Sequence, residues 1–388
     1  MKTFNADIDE FVQYISGKDL YIYGVGKVFH RLVGQDVYRD IHKNVKGYID
    51  NGKAGTKIQV LGQDCKVQAV SILKTVEKGI VLLCGTKYMD EMYQILCGQM
   101  LSDDVECFIL PLIWAVSSGQ DDEYIKSLLI NEDKSIKKIE KKIHCFWFSD
   151  DKKPTKYQYC IDSWKRVCPD YEIMEWNSRN YDCEKNTFIK QAFASKKWAF
   201  VSDYARLDVI YQYGGIYLDM DVELLKSFDP LLGFEAFFNF GTQNDIDLGS
   251  GFGSVKNNHV IGKLLEIYKD KEFWDKNGNP MMEQYMQPAL IREEFVANGF
   301  DMNGNMQLRN DMIVLPRKYY APMDDFFLQN FVQCDDTRGI HHYNAGWWTK
   351  EWQNERDSHM WWVDIAQNTI RDKRKDITFG GNSNGICR

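Results

Sequence analysis

Four charged side chains that could do chemistry together lie near the middle of the chain. Asp203 and Arg206 are three residues apart, so they are neighbours on one face of a helix. Asp219 and Asp221 follow a glycine pair and a short apolar run. Two carboxylates this close repel each other unless a positive charge lies between them, and their hard oxygen atoms suit Mg²⁺ or Mn²⁺. The spacing therefore predicts a divalent-metal site.

The elements that must hold these side chains can be predicted from the same segment. Ser202 can cap a helix that runs to Tyr213, and Gly214-Gly215 allows a sharp turn. Residues 216–218 are apolar and predict a buried strand, whose two-residue period would direct Asp219 and Asp221 to the same side. A structural ion pair also explains Asp203 and Arg206, and a bare Asp-x-Asp is common. The combination favours a functional site.

The chain is long enough for two α/β domains. Its 388 residues exceed one ordinary core. Alternating strand and helix patterns predict a Rossmann-like parallel sheet over residues 1–135, and residues 136–388 form a second domain with similar alternation. The charged run over residues 131–142 lacks an apolar face and predicts a linker, so we expect the boundary near residue 135.

A glycine pattern follows the first predicted Rossmann strand. Gly24 and Gly26 fit a turn that approaches a phosphate, and Asp50 ends the next strand, where a dinucleotide fold holds the ribose. Phe29 occupies the third glycine position. An NAD-type dinucleotide site and tight packing of strand on helix both remain open for this domain.

Composition excludes several classes of protein. A net charge of -8 argues against nucleic acid as a partner. The ten cysteines form no Cys-x-x-Cys pair, which is typical of a reducing cytoplasm. We find neither a secretory signal nor an apolar stretch of membrane-spanning length, and therefore expect a cytoplasmic protein with peripheral contact at the inner membrane surface.

The central segment resembles a known family. Residues 202–232, SDYARLDVIYQYGGIYLDMDVELLKSFDPLL, resemble the core signature of the DXD enzymes of glycosyltransferase family 32 and, more distantly, the clostridial glucosylating toxins. Upstream KKIHCFWFSDDKKP and downstream GIHHYNAGWW extend the similarity over roughly residues 138–350. The resemblance implies a GT-A fold. It also implies a metal-dependent transfer of a hexose from a nucleotide-sugar, with retention of the anomeric configuration, and it favours a UDP-sugar over a GDP-sugar as the donor. The acceptor would be a glycan or a lipid-linked molecule in synthesis of a surface or capsular polysaccharide.

The family pattern also implies roles on the donor side of the site. Trp147 would stack on the nucleotide base, with Phe146 as its support. Asp203 and Arg206 would contact the ribose or the hydroxyls of the donor sugar. Trp347 would close over the diphosphate.

The metal roles follow from the same resemblance. Asp219 would lie near the ribose and the metal, and Asp221 would ligate the Mn²⁺ or Mg²⁺ that bridges the diphosphate. His342 would add a metal or phosphate contact near the end of the similarity, although the adjacent His341 could hold that role instead.

Two positions depart from the family. Asp247-Leu248-Gly249-Ser250 stands where relatives carry an asparagine-rich strand, and Gln287-Pro288 replaces a more usual Gly-Pro. Gly249 and Ser250 could still line the sugar pocket through their backbone groups. The identity of the sugar stays open.

Two other functions compete with sugar transfer. A phosphotransferase of the haloacid dehalogenase type also ends a strand in Asp-x-Asp and binds Mg²⁺, but it needs a downstream lysine and acidic pair, for which Lys318 and Asp324-Asp325 are a poor fit. The other alternative is a nucleotide-sensing protein whose second domain is inactive. The four intact charged residues of the central segment argue against it.

Overall fold

The computed structural model describes residues 1–131, 138–282, 287–344 and 362. Its contacts divide the chain into two compact units. The first comprises Met1–Ser117 together with Trp362, and the second comprises the described residues from Ser118 to Asn344. Each unit has its own sheet and core.

The elements are numbered here in chain order. The helices are α1 Ile8–Ile15, α2 Lys27–Val33, α3 Tyr38–His42, α4 Met89–Cys97, α5 Leu110–Val116, α6 Glu123–Asn131, α7 Thr155–Val167, α8 Thr187–Ala194, α9 Trp198–Tyr213, α10 His259–Glu266 and α11 Gln287–Ala297. The strands are β1 Lys2–Phe4, β2 Leu20–Tyr23, β3 Val45–Ile49, β4 Lys57–Val60, β5 Gln63–Gln68, β6 Gly79–Leu83, β7 Val105–Ile109, β8 Lys142–Phe146, β9 Glu172–Trp176, β10 Gly215–Tyr217, β11 Val222–Leu224, β12 Ala236–Asn239, β13 Phe252–Ser254, β14 Gln307–Arg309, β15 Met312–Leu315 and β16 Gly339–His341.

The first unit has a seven-stranded sheet in the order β1-β7-β6-β2-β3-β5-β4. All neighbouring strands are parallel except the β4-β5 hairpin at one edge. Strand β6 is apolar and buried along its whole length, with five buried residues, because helices pack on a parallel sheet from both faces. The predicted parallel sheet is confirmed.

The second unit is built on a mixed seven-stranded sheet in the order β14-β15-β12-β13-β10-β8-β9. Strand β10 lies at its centre, parallel to β8 and antiparallel to β13. Alternate residues face two cores: Tyr217 packs on one side of the sheet, whereas Ile216 and Leu218 pack on the other. Strands β11 and β16 form a separate antiparallel pair. This α/β arrangement matches the predicted class.

The structure divides the chain earlier than the charged run suggests. Helix α6 precedes residue 135 but belongs to the second unit, because Ile125 and Leu129 are buried in the same core cluster as Ile139 and Leu231. Residues 132–137 of the predicted linker lie outside the described part of the chain.

Two further observations bear on the expected class of protein. Among the residues that the structure describes, no helix combines the length and apolar character needed to cross a membrane. The nine cysteines of the described ranges are all free thiols.

Candidate active site

Helix α9 presents Asp203 and Arg206 side by side. An Arg206 Nη atom lies 3.0 Å from Asp203 Oδ1, and its Nε donates to the Ser202 carbonyl at 3.2 Å. Burial raises the pKa of Asp203 to about 7 despite this guanidinium. The helix begins at Trp198, one turn earlier than predicted, so Ser202 is inside the helix and is not its N-cap. The pair is thereby anchored well within a long buried helix.

A glycine turn connects α9 to β10. Gly214 and Gly215 both have positive φ, +65° and +98°, and a Cβ on Gly215 would lie 2.9 Å from the Lys142 carbonyl oxygen. Only glycine therefore fits this turn. The strand that follows stops at Tyr217, and the Val222 N–H then bonds to the Asp219 carbonyl. The two-residue strand period was thus the wrong explanation for the carboxylate pair, because a turn places both Asp219 and Asp221.

Asp219, Asp221 and His341 form a compact cluster. One possible ligand atom from each lies within 4.8 Å of the others. The Nε2 atom of His341 is 3.3 Å from Asp221 Oδ1 and 3.7 Å from Asp219 Oδ2. Val222, next to Asp221, is the register partner of His341 in the β11-β16 pair, which fixes the histidine against the turn.

The histidine of this cluster is His341 rather than His342, which corrects the sequence assignment. His342 Nε2 instead lies 3.2 Å from Glu223 Oε2. Adjacent residues at a strand end face opposite sides, so only one of the two rings can reach Asp219 and Asp221. The sequence could not choose between them because both histidines fit the family pattern.

Electrostatics show that the cluster attracts positive charge. Burial alone would lower the pKa of His341, but Asp221 and Asp247 beside the ring raise it well above its usual value. Burial would raise the pKa of Asp221, yet His341 and the Asn344 N–H together lower it. A hard divalent cation would find two carboxylate oxygens and an imidazole nitrogen here, a suitable ligand set for Mn²⁺ or Mg²⁺.

The space beside the cluster is kept open by Gly249. A Cβ at this position would lie 2.6 Å from Asp219 Oδ2 and 3.0 Å from His341 Cε1. The residues present therefore fit a bound cation and its ligands. Ser250, which was predicted to line the sugar pocket, does not line this space. It is fully buried, and its hydroxyl donates to the Asp247 carbonyl at 3.0 Å.

A cavity of about 900 Å³ joins the cluster to the other predicted residues. Trp147 lines it at the end of β8, with its Nε1–H donated to the Asp151 carbonyl at 2.9 Å and its ring beside Tyr157. Phe146, the last residue of β8, also lines the cavity and stacks on Phe148, with ring centroids 5.3 Å apart. The predicted residues that line the cavity are Phe146, Trp147, Asp203, Arg206, Asp219, Asp221, Gly249 and His341. Trp347 lies outside the described residues.

Sequence reasoning missed two polar residues of this cavity. Asp247 accepts hydrogen bonds from the backbone of its own loop and from Tyr343. Gln287 donates to the Asp203 carbonyl at 2.8 Å and to Tyr268 Oη at 3.1 Å. The sequence analysis names Asp247 and Gln287 only as departures from the family pattern. Those departures were the one sequence signal that could have identified them as residues of the site.

The glycine turn of the first unit is explained by packing. Gly24 has φ +98°, and a Cβ there would lie 2.7 Å from both the Cys84 carbonyl oxygen and the Met92 methyl group. A Cβ on Gly26, at the start of α2, would meet no atom within 4 Å. The Asp50 carboxylate accepts the N–H groups of Val25 and Gly52. The structure thus brings the three predicted residues together, and a dinucleotide there remains a proposal.

A family comparison decides the class of the second unit. Residues 154–238 match the family described as a glycosyltransferase sugar-binding region containing a DXD motif. The second unit thus contains a glycosyltransferase sugar-binding region with a DXD motif. The match includes Asp203, Arg206, Asp219 and Asp221, and with the observed α/β sheet it confirms the predicted GT-A class and the resemblance to DXD enzymes. This match argues against a phosphotransferase of the haloacid dehalogenase type. Lys318, the lysine considered for that function, instead forms an ion pair with Asp121 at 3.0 Å.

Similar proteins include yeast enzymes. Inositol phosphoceramide mannosyltransferase 1 of Schizosaccharomyces pombe is 29% identical over 26% of this chain and 34% of its own length. Inositol phosphoceramide mannosyltransferase 3 of the same yeast is 31% identical over 30% of this chain and 33% of its own length. Mannosyl phosphorylinositol ceramide synthase SUR1 of Saccharomyces cerevisiae is 28% identical over 30% of this chain and 31% of its own length. The chain thus spans about a third of the length of these relatives.

A solved structure is also similar. The PaToxG glycosyltransferase is 19% identical, with a TM-score of 0.32, and the match covers 48% of this chain and 78% of that one.

Proposed function

We propose that this protein is a metal-dependent, retaining glycosyltransferase that moves a hexose from a nucleoside diphosphate sugar, UDP before GDP, to a glycan or lipid-linked acceptor. One observation carries the proposal. The Asp219, Asp221 and His341 cluster opens into the same cavity as the Asp203-Arg206 pair and Trp147. The cavity thus offers acidic ligands for a cation, polar groups for sugar hydroxyls and an aromatic ring for a base.

Different residues of the cavity bind the base, the sugar and the diphosphate of the donor. Trp147 stacks on the base, because it lies at the open end of β8 with its indole N–H already bonded to the backbone. Asp203 and Arg206 bind donor hydroxyls and hold the anomeric carbon in place, a positioning effect worth several kcal/mol. Gly249 leaves room for the diphosphate beside Asp219.

The chemical task is to stabilise the diphosphate as it leaves the anomeric carbon. A divalent cation held by Asp219, Asp221 and His341 would supply Lewis-acid charge at the leaving oxygens. Tyr217 donates its hydroxyl proton to Asp219 Oδ1, and the Asn344 N–H donates to Asp221 Oδ2 at 2.8 Å. These bonds fix both carboxylates before the donor arrives.

The proposal extends to the acceptor and to the location of the protein. Family resemblance supports a surface or capsular polysaccharide, whereas the names of the yeast relatives support mannosyl transfer to a phosphorylinositol lipid. We propose that either acceptor is presented at a membrane surface. A cytoplasmic enzyme bound peripherally at the inner membrane surface accommodates either acceptor, and cell fractionation tests that location.

The decisive variant is Asp221→Ala. It should abolish donor hydrolysis and transfer while its circular dichroism spectrum and unfolding temperature stay close to those of the wild type. Asp162→Ala, an exposed carboxylate on α7, is the matched control and should retain full activity. Full activity in the Asp221 variant would refute the proposal. An NMR spectrum of the first product reports whether the anomeric configuration is retained.

A further inference from the structure

Asp247 lies behind His341, on the side of the ring that faces away from Asp219 and Asp221. We infer that Asp247 is a positioning residue, which holds the His341 ring so that Nε2 is presented to the cation site. This inference rests on the proposed function, because it assigns a task to a residue that supports the proposed metal centre.

The Asp247 carboxylate is fixed by its own loop. Its Oδ1 atom accepts the N–H groups of Gly249 at 2.9 Å and Ser250 at 3.3 Å. The backbone N–H of Asp247 bonds to the Asn239 carbonyl at 2.9 Å, which ties the loop to the end of β12. One carboxylate oxygen is therefore committed to the loop, and the other is held in a defined direction.

That second oxygen faces the histidine. Oδ2 lies 3.3 Å from His341 Nδ1, and it also accepts the Tyr343 hydroxyl at 2.9 Å. The rings of His341 and Tyr343 are in contact, with centroids 4.0 Å apart and planes inclined by 33°. Asp247 and Tyr343 thus restrain the imidazole at its edge and on its face.

The consequence for the metal site follows from the shape of imidazole. With Nδ1–H donated to Asp247, Nε2 is the ring nitrogen left to face Asp221 and Asp219, at 3.3 Å and 3.7 Å. Metal-ligating histidines are commonly oriented by a carboxylate at the other nitrogen, and loss of that partner weakens metal affinity by about 10-fold to 100-fold. Asp247 has the position for this task, whereas the cluster of possible ligands comprises Asp219, Asp221 and His341.

A structural role for Asp247 makes a different prediction. If the residue served only to fold its loop, its replacement would lower the unfolding temperature, and any loss of metal binding would be independent of His341. If it acts through His341, removal of that histidine should make the identity of residue 247 irrelevant to metal binding.

The experiment is a Mn²⁺ titration of the full chain by calorimetry, with the unfolding temperature of each metal-free variant measured beside it. The variants are D247N, H341A and the double variant, with Asp162→Asn as the control. We expect D247N to weaken Mn²⁺ binding about 10-fold to 100-fold. We expect the double variant to bind no more weakly than H341A. Tyr343→Phe, a milder change that keeps the ring contact, should give a smaller loss.

Each alternative outcome is informative. Wild-type affinity in D247N, or a double variant that binds markedly more weakly than H341A, overturns the inference and leaves the proposed function standing. If D247N does not fold, the inference is decided by Tyr343→Phe, and unchanged affinity there overturns it. A wild-type protein that binds neither Mn²⁺ nor Mg²⁺ overturns the metal centre and this inference with it.

Discussion

The guanidinium of Arg206 lies over the ring of Tyr217, with Cζ 4.7 Å from the ring centroid. The two residues come from α9 and β10, on either side of the glycine turn. Tyr217 also donates its hydroxyl to Asp219, and Arg206 lies 3.5 Å from the same carboxylate. The Tyr217 ring therefore orients the Arg206 guanidinium, which lies close to both Asp203 and Asp219. Arg206 thus links helix α9 to the predicted metal ligands.

This stacking predicts that Arg206→Lys will not be a conservative change. A lysine keeps the charge but loses the planar group that stacks on Tyr217 and bonds to Asp203 and the Ser202 carbonyl. Loss of one charge-assisted hydrogen bond costs about 1.5–3 kcal/mol, so kcat/KM for the donor should fall by about 10-fold to 100-fold. Steady-state kinetics measure this. Arg309→Lys, at the exposed end of β14, is the control, and an equal loss in both variants would refute the expectation.

Trp147 should control donor affinity through stacking. Stacking of a base on an aromatic ring is worth about 1–3 kcal/mol, so Trp147→Ala should weaken nucleoside diphosphate binding by about 5-fold to 150-fold. Trp147→Phe keeps an aromatic face and should lose less. Calorimetric titration with UDP and with GDP in the presence of Mn²⁺ measures the effect, and unchanged binding by the alanine variant would assign Trp147 to packing alone.

Gly249→Ala should block the site from within. The added methyl group would lie 2.6 Å from Asp219 Oδ2, where it competes with a cation and its ligands. We expect at least a 10-fold loss of Mn²⁺ affinity, equivalent to about 1.4 kcal/mol, and a parallel loss of turnover. Gly98→Ala provides the control, because its Cβ would make only ordinary contacts of 3.6 Å. A Gly249 variant with wild-type metal affinity would show that this space is not used.

The local elements were largely predictable, because hydrophobic periodicity follows directly from residue order. The helix predicted to run from Ser202 to Tyr213 is α9, which ends at Tyr213 and begins one turn earlier, at Trp198. The strand predicted over residues 216–218 is β10, which spans Gly215–Tyr217. No prediction covers the short strands β14 to β16, since each has only three or four residues. Strand β14 pairs with the neighbouring β15, whereas β15 and β16 also depend on the distant partners β12 and β11.

The site was predictable where its residues are close in sequence. Asp203, Arg206, Asp219 and Asp221 share one segment, and their spacing alone indicated a metal site. The roles of Asp247 and His341 depend on the pairing of β11 with β16 and on a loop after β12. Such long-range pairing brings together residues 94 positions apart, which no local pattern encodes.

Stability should depend on pH through His144, a buried histidine of β8. Burial lowers the pKa of His144 to about 4. Its Nδ1 accepts the Trp176 indole N–H at 3.0 Å, and its Nε2 lies 3.0 Å from the Gly214 carbonyl. The neutral ring with a proton on Nε2 satisfies both contacts, whereas the charged ring would direct a second N–H at the indole.

The sign of the effect follows from the lowered pKa. The unfolded chain takes up a proton near pH 6.5, and the folded protein does so only near pH 4. The contribution of His144 is therefore complete above pH 6.5 and is lost progressively as the pH falls to 4, by about 3 kcal/mol at most. Urea unfolding at pH 7.5, 6 and 5 should show a steeper decline for the wild type than for His144→Gln. Parallel curves would contradict the assignment.

Donor turnover with and without metal tests the central claim most directly. The purified full chain is incubated with a panel of UDP- and GDP-sugars, and release of the nucleoside diphosphate is measured with Mn²⁺, with Mg²⁺ and with EDTA. We predict turnover of one donor with Mn²⁺ or Mg²⁺, no turnover in EDTA and recovery when the metal is restored. Equal turnover in EDTA, with Asp221→Ala as active as the wild type, would contradict the proposed metal-dependent sugar transfer.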